Sequence, residues 1–199
     1  MVSAMWLIAG LGNPGSQYEQ TRHNAGFLVV DRLLARYGSG FAGTRFEAHV
    51  GEIQRADERL LILKPQTWMN ESGRSLAAAR QFYKAPVDRL IVVHDEVDLA
   101  FGQLRLKAAG GSGGHNGLKS TTQRLGDPGY LRLRFGIGRP PGFRPGDDLT
   151  RHVLGRFSGT ERSDLDLLLD EAVDRLESVV DEGIIPAMNR YNGLAVTKP

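Results

Sequence analysis

Residues 10–27 read Gly-Leu-Gly-Asn-Pro-Gly-Ser-Gln-Tyr-Glu-Gln-Thr-Arg-His-Asn-Ala-Gly-Phe, set between the short apolar run Trp6-Leu7-Ile8-Ala9 and a helical pattern. An apolar run of that length ending in glycine punctuation is a strand that delivers the chain into a loop, and such loops carry function. Gly10, Gly12 and Gly15 satisfy the G-x-G-x-x-G spacing that places a pyrophosphate on a helix N-terminus in dinucleotide-binding folds. The context excludes that fold. Pro14 and further polar residues postpone the helix to about Asn24, and Asp31, the only candidate for a ribose-binding acid, sits inside a helical pattern. What remains is a reactive loop holding Asn13, Tyr18 and His23, side chains suited to recognition and proton transfer.

With 199 residues, 41% of them hydrophobic, the chain can bury a full core as one domain. It has no cysteine, which excludes disulfides and thiolate metal sites and makes the cytoplasm the expected compartment. The apolar N-terminal run is short and ends unlike a cleavage site, and no stretch is long enough to span a membrane. The net charge of +2 hides an asymmetry: residues 101–156 hold ten basic and three acidic side chains, a net +7, whereas residues 161–182 hold nine acidic and two basic ones, a net −7. The basic segment arrives as alternating strand residues beside a glycine-rich loop, which points to an anionic partner. The acidic side reads most simply as a solvated helix face.

Asn24 is placed to cap a helix with apolar Phe27, Val30, Leu33, Leu34 and Tyr37, closed by Gly38. Phe46, Ala48 and Val50 alternate with polar neighbours and pair, through a turn near Asp57, with Leu60-Leu61-Ile62-Leu63. The next loop carries Trp68 and Met69, which serve either as a stacking platform or as a plug under the helix that runs from 72 to 83. Leu90-Ile91-Val92-Val93-His94-Asp95 suits a central buried strand, and sites form beyond the carboxyl ends of such strands, so Asp95 is the site candidate and His94, on the opposite face, is structural. A strand over 102–108 puts Leu104 and Leu106 on one face and Arg105 and Lys107 on the other. It feeds a glycine-rich loop that runs from 110 to 117, where a helix over 118–125 offers N–H groups to a phosphate. A further alternating run over 130–138 turns Leu133 and Phe135 inward and Arg132 and Arg134 outward, so that Arg134 and Lys107 share a basic face. A mobile basic loop near 139–150 precedes a C-terminal helical region over 160–192, opened by a Ser158-x-x-Glu161 capping pattern.

Gly-Leu-Gly-Asn-Pro-Gly with Tyr18 and Thr-Arg-His-Asn-Ala-Gly, then Trp68-Met69-Asn70, His94-Asp95-Glu96-Val97-Asp98-Leu99, Gly113-Gly114-His115-Asn116-Gly117-Leu118-Lys119 and Arg134-Phe135-Gly136-Ile137-Gly138 are similar to the motifs of bacterial peptidyl-tRNA hydrolases, in collinear order over nearly the whole chain. The resemblance implies a single α/β domain, a twisted mixed β-sheet flanked by α-helices, acting as a monomer without a cofactor. It implies hydrolysis of the ester between a peptide and the terminal ribose of tRNA. By the same resemblance His23 is the general base, Asp95 supports its basic form, Asn13 helps distinguish a blocked from a free amino group, and Tyr18, Trp68, Asn70 and Asn116 contact the substrate. Arg105, Lys107, Arg134 and Lys119 are assigned to tRNA phosphates near the acceptor stem and terminal adenosine, and His115 to shaping the glycine loop.

An ester hydrolase needs a base near neutrality and donors for the developing oxyanion, which a carboxylate-supported histidine and asparagine amides supply. Ser72, Ser75 and Ser112 lack a paired base in the motifs, so direct attack by water is expected in place of an acyl-enzyme. No His/Asp/Glu group has metal-ligand spacing, and no metal is expected. Trp68, where many relatives carry phenylalanine, keeps an aromatic wall while narrowing a peptide subsite.

Overall fold

The computed structural model describes residues 5–194 and Val196. Its centre is made of the three short apolar runs: strand β1 (Trp6–Gly10) pairs in parallel with β4 (Glu58–Pro65) on one side and β5 (Leu90–Glu96) on the other. Each run is buried on both faces, so alternate residues feed two different cores. Trp6, Ile8, Leu60, Ile62, Ile91 and Val93 face one layer, and Leu7, Ala9, Leu61, Leu63, Leu90 and Val92 face the other.

The remaining strands extend this centre into a seven-stranded sheet of order β2-β3-β4-β1-β5-β7-β6. β3 (Ala48–Arg55) forms the expected hairpin with β4, β2 (Gly43–Arg45) is an unanticipated edge strand, and β6 (Leu104–Lys107) closes the other edge antiparallel to β7 (Leu131–Gly136). Because β5 and β7 run parallel, the sheet is mixed. Helices α1 (Ala25–Arg36), α5 (Gly159–Glu182) and α6 (Ile184–Tyr191) contribute to the first core, and α2 (Ser72–Tyr83) and α3 (Asn116–Leu125) to the second; the short α4 (Thr150–Val153) lies between β7 and α5. Six α-helices thus accompany the sheet among the described residues.

Two expectations about helices are corrected. Asn24 sits at the start of α1 but makes no cap bond, since its amide is spent on the backbone of Asn13. The acidic side of α5 is not simply solvated: Arg22 meets Glu161 at 2.6 Å, Arg36 meets Asp174 at 2.5 Å, Arg55 meets Asp181 at 2.7 Å, and Arg32 pairs with Asp166. Pairs with an exposed carboxylate, as at Asp166, Asp174 and Asp181, are worth about 0–1 kcal/mol each, against about 1.5–3 kcal/mol for burying one large aliphatic side chain. The buried stripe Leu168, Leu169, Val173, Leu176 and Val179 therefore carries the docking, and the ion pairs orient it. Ser158 and Glu161 form the expected capping box.

One contact positions everything at the carboxyl end of β1. Gly10 and Gly26 cross so closely that an added Cβ on Gly10 would lie 2.1 Å from the Gly26 carbonyl oxygen, and one on Gly26 would lie 2.4 Å from the Leu11 nitrogen. This backbone crossing seats the start of α1, and with it the turn before it, on the strand ends. Gly26→Ala is expected to cost about 3 kcal/mol, since backbone atoms cannot yield, while Gly43→Ala changes stability by less than about 0.5 kcal/mol; its added Cβ meets nothing within 4 Å. Equal denaturation midpoints for the two variants would refute the constraint.

Candidate active site

Asp95 is 3% exposed near the end of β5, where an isolated carboxylate would be costly. Its Oδ1 is instead shared by two imidazoles: His23 Nδ1 at 2.9 Å and His115 Nε2 at 2.9 Å. His23 comes from the 3-10 turn Arg22–Asn24 that joins the glycine-punctuated loop to α1, and His115 is the N-cap of α3. α3 begins at Asn116, two positions before the expected start, because the His115 ring supplies the cap. Burial by itself would lower the His23 pKa, but the charge of Asp95 and its hydrogen bond outweigh this and hold it above the ordinary 6.5. Burial would likewise raise the Asp95 carboxyl, and the two facing imidazoles with their hydrogen bonds reverse that, holding it far below the usual carboxylate range.

The hydrogen bonds decide the tautomers. His115 Nδ1 accepts from the backbone N–H groups of Gly117 at 3.1 Å and Leu118 at 3.3 Å, so its proton is on Nε2, donated to Asp95. A proton on Nδ1 would set an N–H against two helix N–H groups, so the helix N-terminus fixes this tautomer. His23 donates Nδ1–H to Asp95 and leaves Nε2 with its lone pair unpartnered among the described residues. His94, fully buried, is pushed down to about 3, first by burial and then by His115 and Arg132; its ring stands edge-on to His115 at 5.0 Å. His23, Asp95 and His115 bring ligand atoms within 4.8 Å of one another, a grouping the sequence spacing does not reveal. The donor set suits a metal poorly. A metal on His115 Nε2 would need the imidazolate form, because Nδ1 is already an acceptor.

Asn13 is held rigidly through Asn24, the residue after His23, and lines a second cleft with Phe27 and Gln66. Its backbone N–H donates to Asn24 Oδ1 at 2.9 Å, its carbonyl accepts from Asn24 Nδ2 at 3.0 Å, and its side-chain Oδ1 accepts from Met69 N at 2.8 Å, so Nδ2 is the end left to offer. Asn24 is a structural residue that sequence reasoning assigned to capping. Trp68 and Met69 divide the two roles left open for them: Met69 is buried against α3, whereas Trp68 is 51% exposed with its ring edge-on to Tyr18 at 6.0 Å. Asn70, in the turn Met69–Glu71, and Asn116, at the start of α3, are exposed, and their side-chain amides make no protein hydrogen bond among the described residues. His23 and Asp95 open into a cleft of about 320 Å³, also lined by Val97, residues 112–116 and Leu149. Ser112 lines it too, yet its hydroxyl is bonded to neither histidine.

The basic edge matches expectation in part. In the β6–β7 ladder Arg105 is opposite Arg134 and Lys107 is opposite Arg132, so all four side chains share one face. Arg105 and Lys119 are exposed and without ion-pair partners among the described residues, and Lys107, half-buried, also lacks one. Arg134, however, is paired with Glu96 at 2.9 Å, and Arg132 is not outward: it is 2% exposed and donates to the carbonyls of Gly110 and Gly111.

A family model described as peptidyl-tRNA hydrolase matches residues 7–199. The peptidyl-tRNA hydrolase of Frankia casuarinae is 52% identical over 95% of this chain and 94% of its own length, and that of Trichlorobacter lovleyi is 52% identical over 94% of each. The crystal structure of the peptidyl-tRNA hydrolase from Acinetobacter baumannii superposes with a TM-score of 0.89 at 37% identity, covering 99% of both chains.

The raised His23 pKa has a sign that can be tested. The His23⁺–Asp95⁻ pair stabilises the fold fully below pH 6.5, and that contribution is lost as pH rises through the elevated folded-state value. In an NMR titration the His23 ring should therefore titrate above 6.5, and Asp95→Asn should move the midpoint down. An unmoved midpoint would mean that the carboxylate does not govern the imidazole.

Proposed function

The chain belongs to the peptidyl-tRNA hydrolase family and is an enzyme that hydrolyses peptidyl-tRNA, and we propose that His23 activates the water that attacks the ester. The observation that carries this reading is the division of labour at Asp95: one imidazole has both ring nitrogens engaged, by the carboxylate and by a helix N-terminus, and the other keeps Nε2 free above the cleft. Water on that nitrogen gives up its proton as its oxygen adds to the ester carbonyl. The carbonyl π bond becomes the oxyanion, and Asp95 steadies the imidazolium that forms. Collapse of the tetrahedral intermediate breaks the bond to the terminal ribose, and the proton on His23 passes to the departing ribose oxygen. The free amides of Asn70 and Asn116 and the Nδ2 of Asn13 supply donors to the oxyanion and the peptide backbone. The half-buried Tyr18 and exposed Trp68 form an aromatic wall for the first peptide residue.

Lys107, Arg105 and Lys119 bind tRNA phosphates next to the acceptor end. Arg134, already paired with Glu96, contributes less than these free cations. Such an edge serves no purpose for a small ester, which favours the tRNA substrate over a general esterase. The enzyme works as a monomer in the cytoplasm, and no described helix is long and apolar enough to cross a membrane.

His23→Ala should lower kcat on peptidyl-tRNA by about 10²- to 10⁴-fold while leaving tRNA affinity intact. His115→Ala should cost less, because it removes a cap and one partner of Asp95 and leaves the base in place. An active His23→Ala enzyme beside a dead His115→Ala one would reassign the base. For the basic edge, raising salt from about 50 to 200 mM should weaken tRNA binding steeply, and Lys107→Ala should flatten that dependence more than Arg134→Ala does. Identical slopes for wild type and Lys107→Ala would remove Lys107 from the interface.

A further inference from the structure

Arg132 is the only buried cation of the basic segment among the described residues, and the functional reading above gives it no task. Burying a guanidinium carries a desolvation penalty of several kcal/mol, so its partners matter. It stacks on Tyr130 at 4.6 Å, and its two terminal nitrogens donate to successive backbone carbonyls of the glycine loop, Gly111 O at 2.5 Å and Gly110 O. The loop is otherwise exposed at Gly111, Gly113 and Gly114.

The consequence lies in the peptide planes. All peptide bonds among the described residues are trans, and in a trans peptide the N–H points opposite to the C=O of the same plane. With the carbonyls of Gly110 and Gly111 pinned inward on Arg132, the N–H groups of Gly111 and Ser112 point away from it. Neither has a hydrogen-bond partner among the described residues. Lys107, directly opposite Arg132 in the ladder, lies against the same loop: a Cβ on Gly110 would sit 2.6 Å from its Nζ. Two parallel, unpaired N–H groups beside a free ammonium form an anion receptor of the kind that successive backbone amides build around phosphates.

We propose that Arg132 is a positioning residue that turns the Gly111 and Ser112 amides outward to hold one phosphate of the tRNA backbone beside Lys107. This rests on the peptidyl-tRNA reading of the site and adds to it a receptor made of main chain, set by a side chain that never touches the substrate. Because Ser112 also lines the cleft of His23, the receptor couples the place where the nucleic acid is gripped to the place where the ester is cut.

The test combines a titration with a variant. When an acceptor-stem RNA duplex is added to the wild-type enzyme, the amide protons of Gly111 and Ser112 should shift downfield and saturate together. Arg132→Lys retains the charge but cannot grip two carbonyls as a planar fork. In that variant the two shifts should collapse, and KM for peptidyl-tRNA should rise about tenfold, the worth of one charge-assisted hydrogen bond. The salt slope of tRNA binding should fall by about one phosphate, with kcat within about twofold and the pH midpoint of the base unmoved. A purely structural arginine would lower the melting temperature and leave the salt slope alone. Unshifted Gly111 and Ser112 amides in the wild type, or an Arg132→Lys enzyme with wild-type KM and slope, would overturn the proposal. The wild-type titration decides even if the variant does not fold. A fully active His23→Ala enzyme that still shows the two amide shifts would overturn the base assignment and leave the receptor standing.

Discussion

A carboxylate taken out of water at the end of a central strand must find compensating donors, and Asp95 finds both of its own in imidazoles carried by other elements. That requirement ties the loop after β1 and the N-terminus of α3 to the tip of β5. Asn13 extends the same knot to the turn after β4 through the Met69 amide. The three parallel strands β4, β1 and β5 thus end in segments that are bonded across one another, and the site sits at the switch point where successive crossovers place β4 and β5 on opposite sides of β1.

The chemistry follows from asymmetry between two like groups. Both histidines face the same oxygen, yet a helix N-terminus consumes the second nitrogen of His115, and open space meets that of His23. A fixed donor and a base are obtained from one residue type by the hydrogen bond on the far side of each ring. His94 shows the third outcome: fully enclosed and held neutral, it serves as packing against His115.

Local pattern made much of this legible. The runs at Leu60 and Leu90 are apolar at every position, which only a doubly covered strand explains, and the boundaries of α2 coincide with the expected 72–83. The identity of the site residues came from motif resemblance, whereas their wiring did not. Strand alternation assigned Arg132 to solvent because period-two reasoning says which face a residue takes, and not whether that face is covered at a given position; the glycine loop folds back over it. Asn24 looked like a cap because its type and place fit, and the competing partner, Asn13, is eleven positions away. The acidic stripe of α5 looked solvated because its partners Arg32, Arg36 and Arg55 lie far upstream, and no local rule connects them.

That distance bears on how the chain is made. Arg32 waits for a partner 134 positions further on, and the sheet face carrying Leu106, Leu133 and Phe135 waits for the same helix. On a ribosome that adds about 5–20 residues per second, strand β7 is finished several seconds before α5 has emerged to cover it. Through that interval the apolar face of β6 and β7 lacks the cover of α5, and Arg32 and Arg36 of α1 lack its acids. When the last long helix arrives, its apolar stripe closes the gap and its acids, meeting arginines made seconds earlier, set the angle at which it lies.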